Sequence, residues 1–234
     1  MKILAEELLP GFTPYDKMGA MAASPNHTST HHSSRTIQLI IILTGFAVRL
    51  YKLGEQSLWY DETVSAFLAS QPTLDLIAHT ARDIHPPGYY LLLHFWAAVV
   101  GHTEFALAYF SLFFGILLIA LTYRVSRYLI DSTTATWAAF LVAISPYNIW
   151  YSQEVRMYTL GATLGLAATY YALRALSLGQ NFEKLKQPAA YRFWLGYALF
   201  AAIGLYTLYY FAFLLIIINL VFLTYTLWPK IKRT

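Results

Sequence analysis

The sequence predicts an all-α membrane protein, a bundle of about six transmembrane helices with a long first extracytoplasmic loop. Three observations carry this. Apolar residues make up 58% of the 234 positions and charged residues only 12%, against roughly 45–50% and about 25% in soluble domains. Apolar runs follow one another closely from residue 37 to residue 228. Aromatic residues reach 17%, with 19 Tyr and 6 Trp, which suits helices whose ends sit among lipid headgroups. A soluble fold with so few charges lacks the polar surface to stay in water. The formal charge of +4 then sets orientation in the membrane and does not point to nucleic acid. The absence of cysteine excludes a disulfide framework, a thiolate nucleophile and a Cys-ligated metal.

Residues 1–36 read as a disordered cytoplasmic tail, because the stretch 24–34 is small, polar and without periodicity. The apolar runs are 37–53, 87–101, 103–123, 133–147, 157–173 and 191–228. A spanning helix takes about 20 residues, with about 17 near the lower limit. The last run holds 38 residues, enough for two spans with a tight turn near 207–210. The run 87–101 is short and carries His94 in its middle.

Basic residues decide the place of that run. If it lies in the interface and the N-terminus is cytoplasmic, only Arg49, Lys52, Arg82 and Arg156 face outward, and the other twelve Lys and Arg face the cytoplasm. If it spans, the split reverses. The positive-inside rule selects the first arrangement, with six spans, both termini cytoplasmic and residues 229–234 as a basic cytoplasmic end. The outer loop over 52–102 holds five acids and two bases. A connection that long tends to carry function, and its apolar stretches at 63–69 and 89–100 predict helices lying along the membrane surface.

Four clusters fall on the outer side. Ser57-Leu-Trp-Tyr-Asp-Glu62 places adjacent carboxylates beyond the first span. In Asp83-Ile-His-Pro-Pro-Gly-Tyr-Tyr90 the prolines start a helix and leave His85 at its positive end. Tyr151-Ser-Gln-Glu-Val-Arg-Met-Tyr158 brings Glu154 and Arg156 to the start of the fourth span, and Tyr206-Thr-Leu-Tyr-Tyr210 marks the outer turn before the last one. Each has a plain reading. Asp61 and Glu62 are solvated loop acids or a cap for the next helix, His85-Pro-Pro a turn, Arg49 and Arg156 snorkelling anchors, and the tyrosines belt residues. Each also has a functional one, since a carboxylate among rings at a membrane surface is suited to general-base work and a charge within an apolar segment marks a site.

The run from Arg49 to Asp61-Glu62, then His85-Pro-Pro-Gly-Tyr-Tyr90, then Ser145-Pro-Tyr through Tyr158, resembles the bacterial membrane glycosyltransferases related to protein O-mannosyltransferases. They are the RgtA/B/C/D-like group of the GT-C superfamily. The resemblance covers roughly 37–228 and implies a GT-C-like multi-span module there. It implies a polyprenyl-phosphate-linked sugar as donor, and in some members a divalent metal, for which Glu62 and Glu154 are the candidate ligands. It matches Asp61 to the catalytic acid and Glu62 to its neighbour. It places His85, Glu154 and Arg156 at the donor site, with Arg49 a further candidate for the phosphate.

Family members are usually much longer, so this chain is expected to be the N-terminal portion of such an enzyme. The implied activity is transfer of a hexosyl or pentosyl unit to a lipid, glycan or protein acceptor at the outer face of a plasma (inner) membrane. Asp61 serves as general base, and the departing phosphate needs cations from Arg156, Arg49 or charged His85. Two other readings stand beside it. The chain is a lipid-donor-binding half that needs a second-half partner chain, or it is a transporter fragment. The transporter reading is weakened because Glu104, Asp131 and Glu154 all fall at helix ends, whereas transport sites sit near the midplane.

Overall fold

A computed structural model describes the backbone of residues 27–178 and 188–231 and the side chains of residues 35–176 and 191–224. Among these the secondary structure is helical throughout. The elements are α1 (His27–Leu50), α2 (Tyr60–Ser70), α3 (Thr73–Thr80), α4 (Gly88–Val100), α5 (Glu104–Leu129), α6 (Ser132–Ile144), α7 (Pro146–Gln153), α8 (Tyr158–Leu178), α9 (Pro188–Thr207) and α10 (Phe211–Ile231). Among the described residues α5 is the one helix both long and apolar enough to cross a membrane by length and composition; α4, α6 and the stretch Phe211–Thr224 of α10 are apolar but shorter.

Most boundaries follow local chemistry. Thr103 caps α5 by accepting the Ala106 N–H at 3.2 Å, and Asp131 caps α6 by accepting that of Thr134 at 2.8 Å. The chain turns between α9 and α10 at 208–210, where the long apolar run predicts it. α1 opens at His27, so helix reaches back into the segment read as a tail. Extending a helix already nucleated by an apolar run costs little per residue. Residues 1–26 and 232–234 lie outside the described residues.

One expected span is divided. The run 133–147 forms α6, which stops at Ile144, and α7, which starts at Pro146. Ser145 is extended and its hydroxyl accepts the Asn148 N–H, while Pro146 occupies the first turn of α7. Proline forces its predecessor out of the helical region, so Ser145-Pro146 ends one helix and caps the next. α6 is 13 residues long, about 20 Å at 1.5 Å per residue.

α5 is the hub, packed against α4, α6, α7 and α8, while α9 lies along α8 and α2 and α3 rest on α4. The larger core gathers Leu68 and Leu76 from α2 and α3, Tyr89 and Leu93 from α4, Leu107 and Leu112 from α5, and Val155 and Met157 from the link before α8. His94, mid-way along α4, hydrogen-bonds through Nδ1 to the Ala69 carbonyl at 2.8 Å. It thereby satisfies the open carbonyl end of α2. A second cluster, Ile41, Ile119, Ala139 and Ala143, joins α1, α5 and α6.

Arg49 locks these helices at one end. Its side chain is 0% exposed. Nη1 donates to the Gly45 carbonyl at 3.0 Å and the Ala143 carbonyl at 2.8 Å. Nη2 donates to the Val142 carbonyl at 3.0 Å and Nε to the Ser152 hydroxyl at 3.1 Å. Val142 and Ala143 end α6, where carbonyls lack helical partners, so one guanidinium ties α1 to α6 and α7. Gly115 of α5 leaves the room, since a Cβ there would collide with the Ser152 hydroxyl. Gly54, at φ 76°, lets the chain after α1 run close against the Phe105 backbone, where an added Cβ would stand only 2.9 Å from Phe105 N and Cα.

Arg49→Ala leaves several buried acceptors without a donor, and we expect a loss of about 2–4 kcal/mol. Arg49→Lys recovers little of it, because an ammonium cannot reach three carbonyls in a plane. Thermal unfolding of the full chain in detergent checks this.

Candidate functional site

The ends of several helices build two neighbouring clefts on either side of the start of α2. Adjacent positions on a helix point about 100° apart, so Asp61 and Glu62 serve different clefts despite being neighbours in sequence. Asp61 lines a cleft of about 950 Å³ with His85, Tyr90 and Arg156. Glu62 lines a second, of about 660 Å³, with Glu154, Trp59 and Trp150.

Glu62 is 7% exposed and both its oxygens are in use. One accepts the Trp59 N–H at 3.2 Å, closing the first turn of α2. The other accepts the Val155 N–H at 2.7 Å, across 93 residues of sequence. The link 154–157 is thereby pinned to α2. Val155 and Met157 are fully buried, and the Ser111 hydroxyl donates to the Arg156 carbonyl at 3.3 Å. With its neighbours anchored in the core, the Arg156 side chain is delivered to Asp61.

Arg156 is 4% exposed. Its Nη1 donates to the Asp61 carbonyl at 3.2 Å, and its Nη2 stands 3.8 Å from the Asp61 carboxylate. The guanidinium lies 5.7 Å from the Tyr158 ring centroid. Its Nε is buried with no hydrogen-bond partner among the described residues. The Asp61 side chain is 39% exposed and reaches into the open part of the cleft. A cation and an accessible carboxylate side by side in one cleft are arranged to meet an anion and a proton donor together.

His85 faces the same cleft, its Nδ1 3.9 Å from the Asp83 carboxylate. Burial, and then the charge of Arg156, hold it below the ordinary value of 6.5, against the opposing pull of Asp83 and Asp61. It is therefore neutral at pH 7, a hydrogen-bonding group and not the charged imidazole considered from sequence. Burial pushes the Tyr90 hydroxyl up to about 12, so it keeps its proton. Tyr90, and α3 with His79 lining the cleft, were not among the candidate site residues. Pro72 followed by apolar residues at 74, 76 and 77 is the signal for α3.

Arg49, a candidate for the phosphate, is in neither cleft; its donors go to helix-end carbonyls. In the second cleft the Glu154 carboxylate accepts the Trp150 indole N–H, while Oε2 is buried with no hydrogen-bond partner among the described residues. Burial lifts it above the usual carboxylate value, the Trp150 bond opposes the rise and the nearby Glu62 charge adds to it. The two carboxylates suggested as metal ligands do not make a metal cage. Glu62 gives both oxygens to backbone N–H groups, and among the described residues no three His, Cys, Asp or Glu side chains are grouped to hold an ion.

The raised Glu154 value has a measurable consequence. The folded chain holds this proton more tightly than the unfolded one, so wild type loses stability as pH rises from the ordinary value of 4.5 through the raised one. Glu154→Gln removes that loss. We expect the variant to unfold at a higher temperature than wild type at pH 8, with the gain shrinking toward zero near pH 4.5, as read by thermal scans across that range.

A family model for dolichyl-phosphate-mannose-protein mannosyltransferases matches residues 84–234. The match takes in His85, Glu154 and Arg156 and begins downstream of Asp61 and Glu62. No curated protein and no solved structure matches. The match covers well over half the sequence, in agreement with the resemblance carried by the motifs, and the chain belongs to the dolichyl-phosphate-mannose-protein mannosyltransferase family of GT-C-type membrane glycosyltransferases.

Proposed function

We propose that this chain transfers a sugar from a polyprenyl-phosphate donor to an acceptor hydroxyl at the outer membrane face, with Asp61 as general base and Arg156 at the donor phosphate. The observation that carries the reading is the pairing of an accessible Asp61 carboxylate with the Arg156 guanidinium, Nη2 to carboxylate 3.8 Å, on one wall of a cleft of about 950 Å³.

The topology that serves this reading has α1, α5, α6, α8, α9 and α10 crossing the membrane, the 13-residue α6 doing so where the bilayer thins locally to match it. Both termini are then cytoplasmic, and α2, α3, α4 and α7 lie at the outer surface of a plasma (inner) membrane. The twelve-to-four split of basic residues supports it. So does the gathering of helix ends: the end of α1 meets the end of α6 through Arg49, and the end of α9 approaches the start of α4 at Gly88.

An acceptor hydroxyl is scarcely ionised at neutral pH. As its oxygen bonds to the anomeric carbon, the proton passes to the Asp61 carboxylate. The bond from that carbon to the phosphate oxygen breaks, and its electron pair leaves with the polyprenyl phosphate. Arg156 meets the charge that grows there, in a site where burial strengthens the attraction. Neutral His85 and the protonated Tyr90 hydroxyl supply hydrogen bonds that orient the donor. Direct displacement inverts the anomeric centre. Glu62 is a positioning residue, since it acts through the Val155 link. Hexose or pentose as the sugar, and lipid, glycan or protein as acceptor, are separated by the donor and acceptor panels of the assay below.

The assay supplies radiolabelled polyprenyl-phosphate sugars to membranes carrying the full chain. We expect transfer by wild type and a fall in kcat of about 10²–10⁴-fold in Asp61→Asn. Arg156→Gln weakens donor retention as well as turnover. Transfer undiminished in Asp61→Asn overturns the base assignment.

A further inference from the structure

At the end of α5 remote from the Asp61 cleft lies a separate cavity of about 660 Å³. Three arginines line it, Arg124 and Arg127 from α5 and Arg174 from α8, and no acidic residue does. Its remaining wall combines the apolar Ile41, Ile42, Ile119 and Ala139 with Gln38 and three tyrosines. Basic residues at the cytoplasmic ends of helices follow from the positive-inside rule. That rule accounts for their number but not for their convergence from two helices on one cavity.

Two of the three guanidinium groups, those of Arg124 and Arg174, lie against rings. Arg124 donates from Nε to the Tyr170 hydroxyl at 3.1 Å and lies 5.3 Å from that ring's centroid. Arg174 lies 5.4 Å from the Tyr128 centroid and 4.8 Å from that of Phe193. Stacking fixes the plane of a guanidinium while its in-plane N–H groups keep their direction, the arrangement suited to phosphate oxygens. Among the described residues no ion pair involves Arg124 or Arg127.

We propose that this cavity binds the headgroup of an anionic phospholipid from the leaflet opposite the Asp61 cleft. Its phosphate sits on Arg124, Arg127 and Arg174, and its chains lie along α1. The apolar part of the wall favours a lipid over a soluble phosphate. Ile37, one turn before the cavity-lining Ile41 on the same face of α1, is 45% exposed and offers an acyl chain a path out of the cavity. The proposal is independent of the chemistry assigned to the Asp61 cleft.

The test is native mass spectrometry of the full chain in detergent, titrated with phosphatidylglycerol, with phosphatidylcholine, and with inorganic phosphate. Thermal unfolding is followed in parallel. We expect phosphatidylglycerol to bind in preference to phosphatidylcholine and to raise the unfolding temperature. Each arginine removed, in Arg127→Gln and in Arg124→Gln with Arg127→Gln, weakens it on the order of fivefold. Lys52→Gln, at the other end of the molecule, leaves binding unchanged. The exposed Arg127 single variant keeps the test decisive if the double variant fails to fold. Equal retention of the two lipids, or phosphatidylglycerol binding unmoved by Arg127→Gln, overturns the proposal. Inorganic phosphate that protects the chain as well as the lipid does overturns the lipid as occupant.

Discussion

A guanidinium withdrawn from water must have its N–H groups satisfied by the protein around it, and Arg49 imposes that requirement on three helices at once. Its carbonyl partners are the end of α6 and the last turn of α1, and its Nε reaches the Ser152 hydroxyl of α7. α6 therefore ends where Arg49 can reach it, and α7 is held against the same group. Arg49 is 0% exposed and lines neither cleft. Its contribution is to hold α7 so that the link beyond it, residues 154–157, starts from a fixed place.

From there Glu62 completes the assembly. One carboxylate accepts two backbone N–H groups, one at the head of α2 and one on Val155, which joins the first turn of α2, bearing Asp61, to the link bearing Arg156. Buried charge is costly unless it is hydrogen-bonded, and this one is. The consequence is a division of labour between neighbours in sequence: Glu62 is consumed by structure while Asp61, one residue earlier, stays accessible beside Arg156. The same economy separates Glu154 from Arg156, which line different clefts although one residue lies between them.

Much of this was legible from the sequence, and the exceptions have physical causes. Apolar runs and turn residues identified α4, α5, α8 and the pair α9 and α10 with its turn at 208–210. The division of 133–147 at Ser145-Pro146 was passed over because its hydrophobicity continues across a break made by backbone chemistry. Arg49 was read as a cation for phosphate, since a charge in an apolar run marks either a site or a buried clamp; the carbonyls that decide between them lie 93 and 94 residues away. The cluster of Asp61, His85 and Arg156 was legible as three outward motifs. Their distances, the diversion of Glu62 to the backbone and the neutrality of His85 depend on burial, which spacing does not reveal.

The central claim is direct displacement at the Asp61–Arg156 pair, and the stereochemistry of the product tests it without relying on a variant. Sugar transferred by the full chain from a donor of known anomeric configuration is released and its linkage assigned by NMR. Inversion is the result the account predicts, with Asp61 removing a proton and one bond made as another breaks. Retention would contradict it, because retention requires an intermediate formed on a nucleophile that a single displacement does not include.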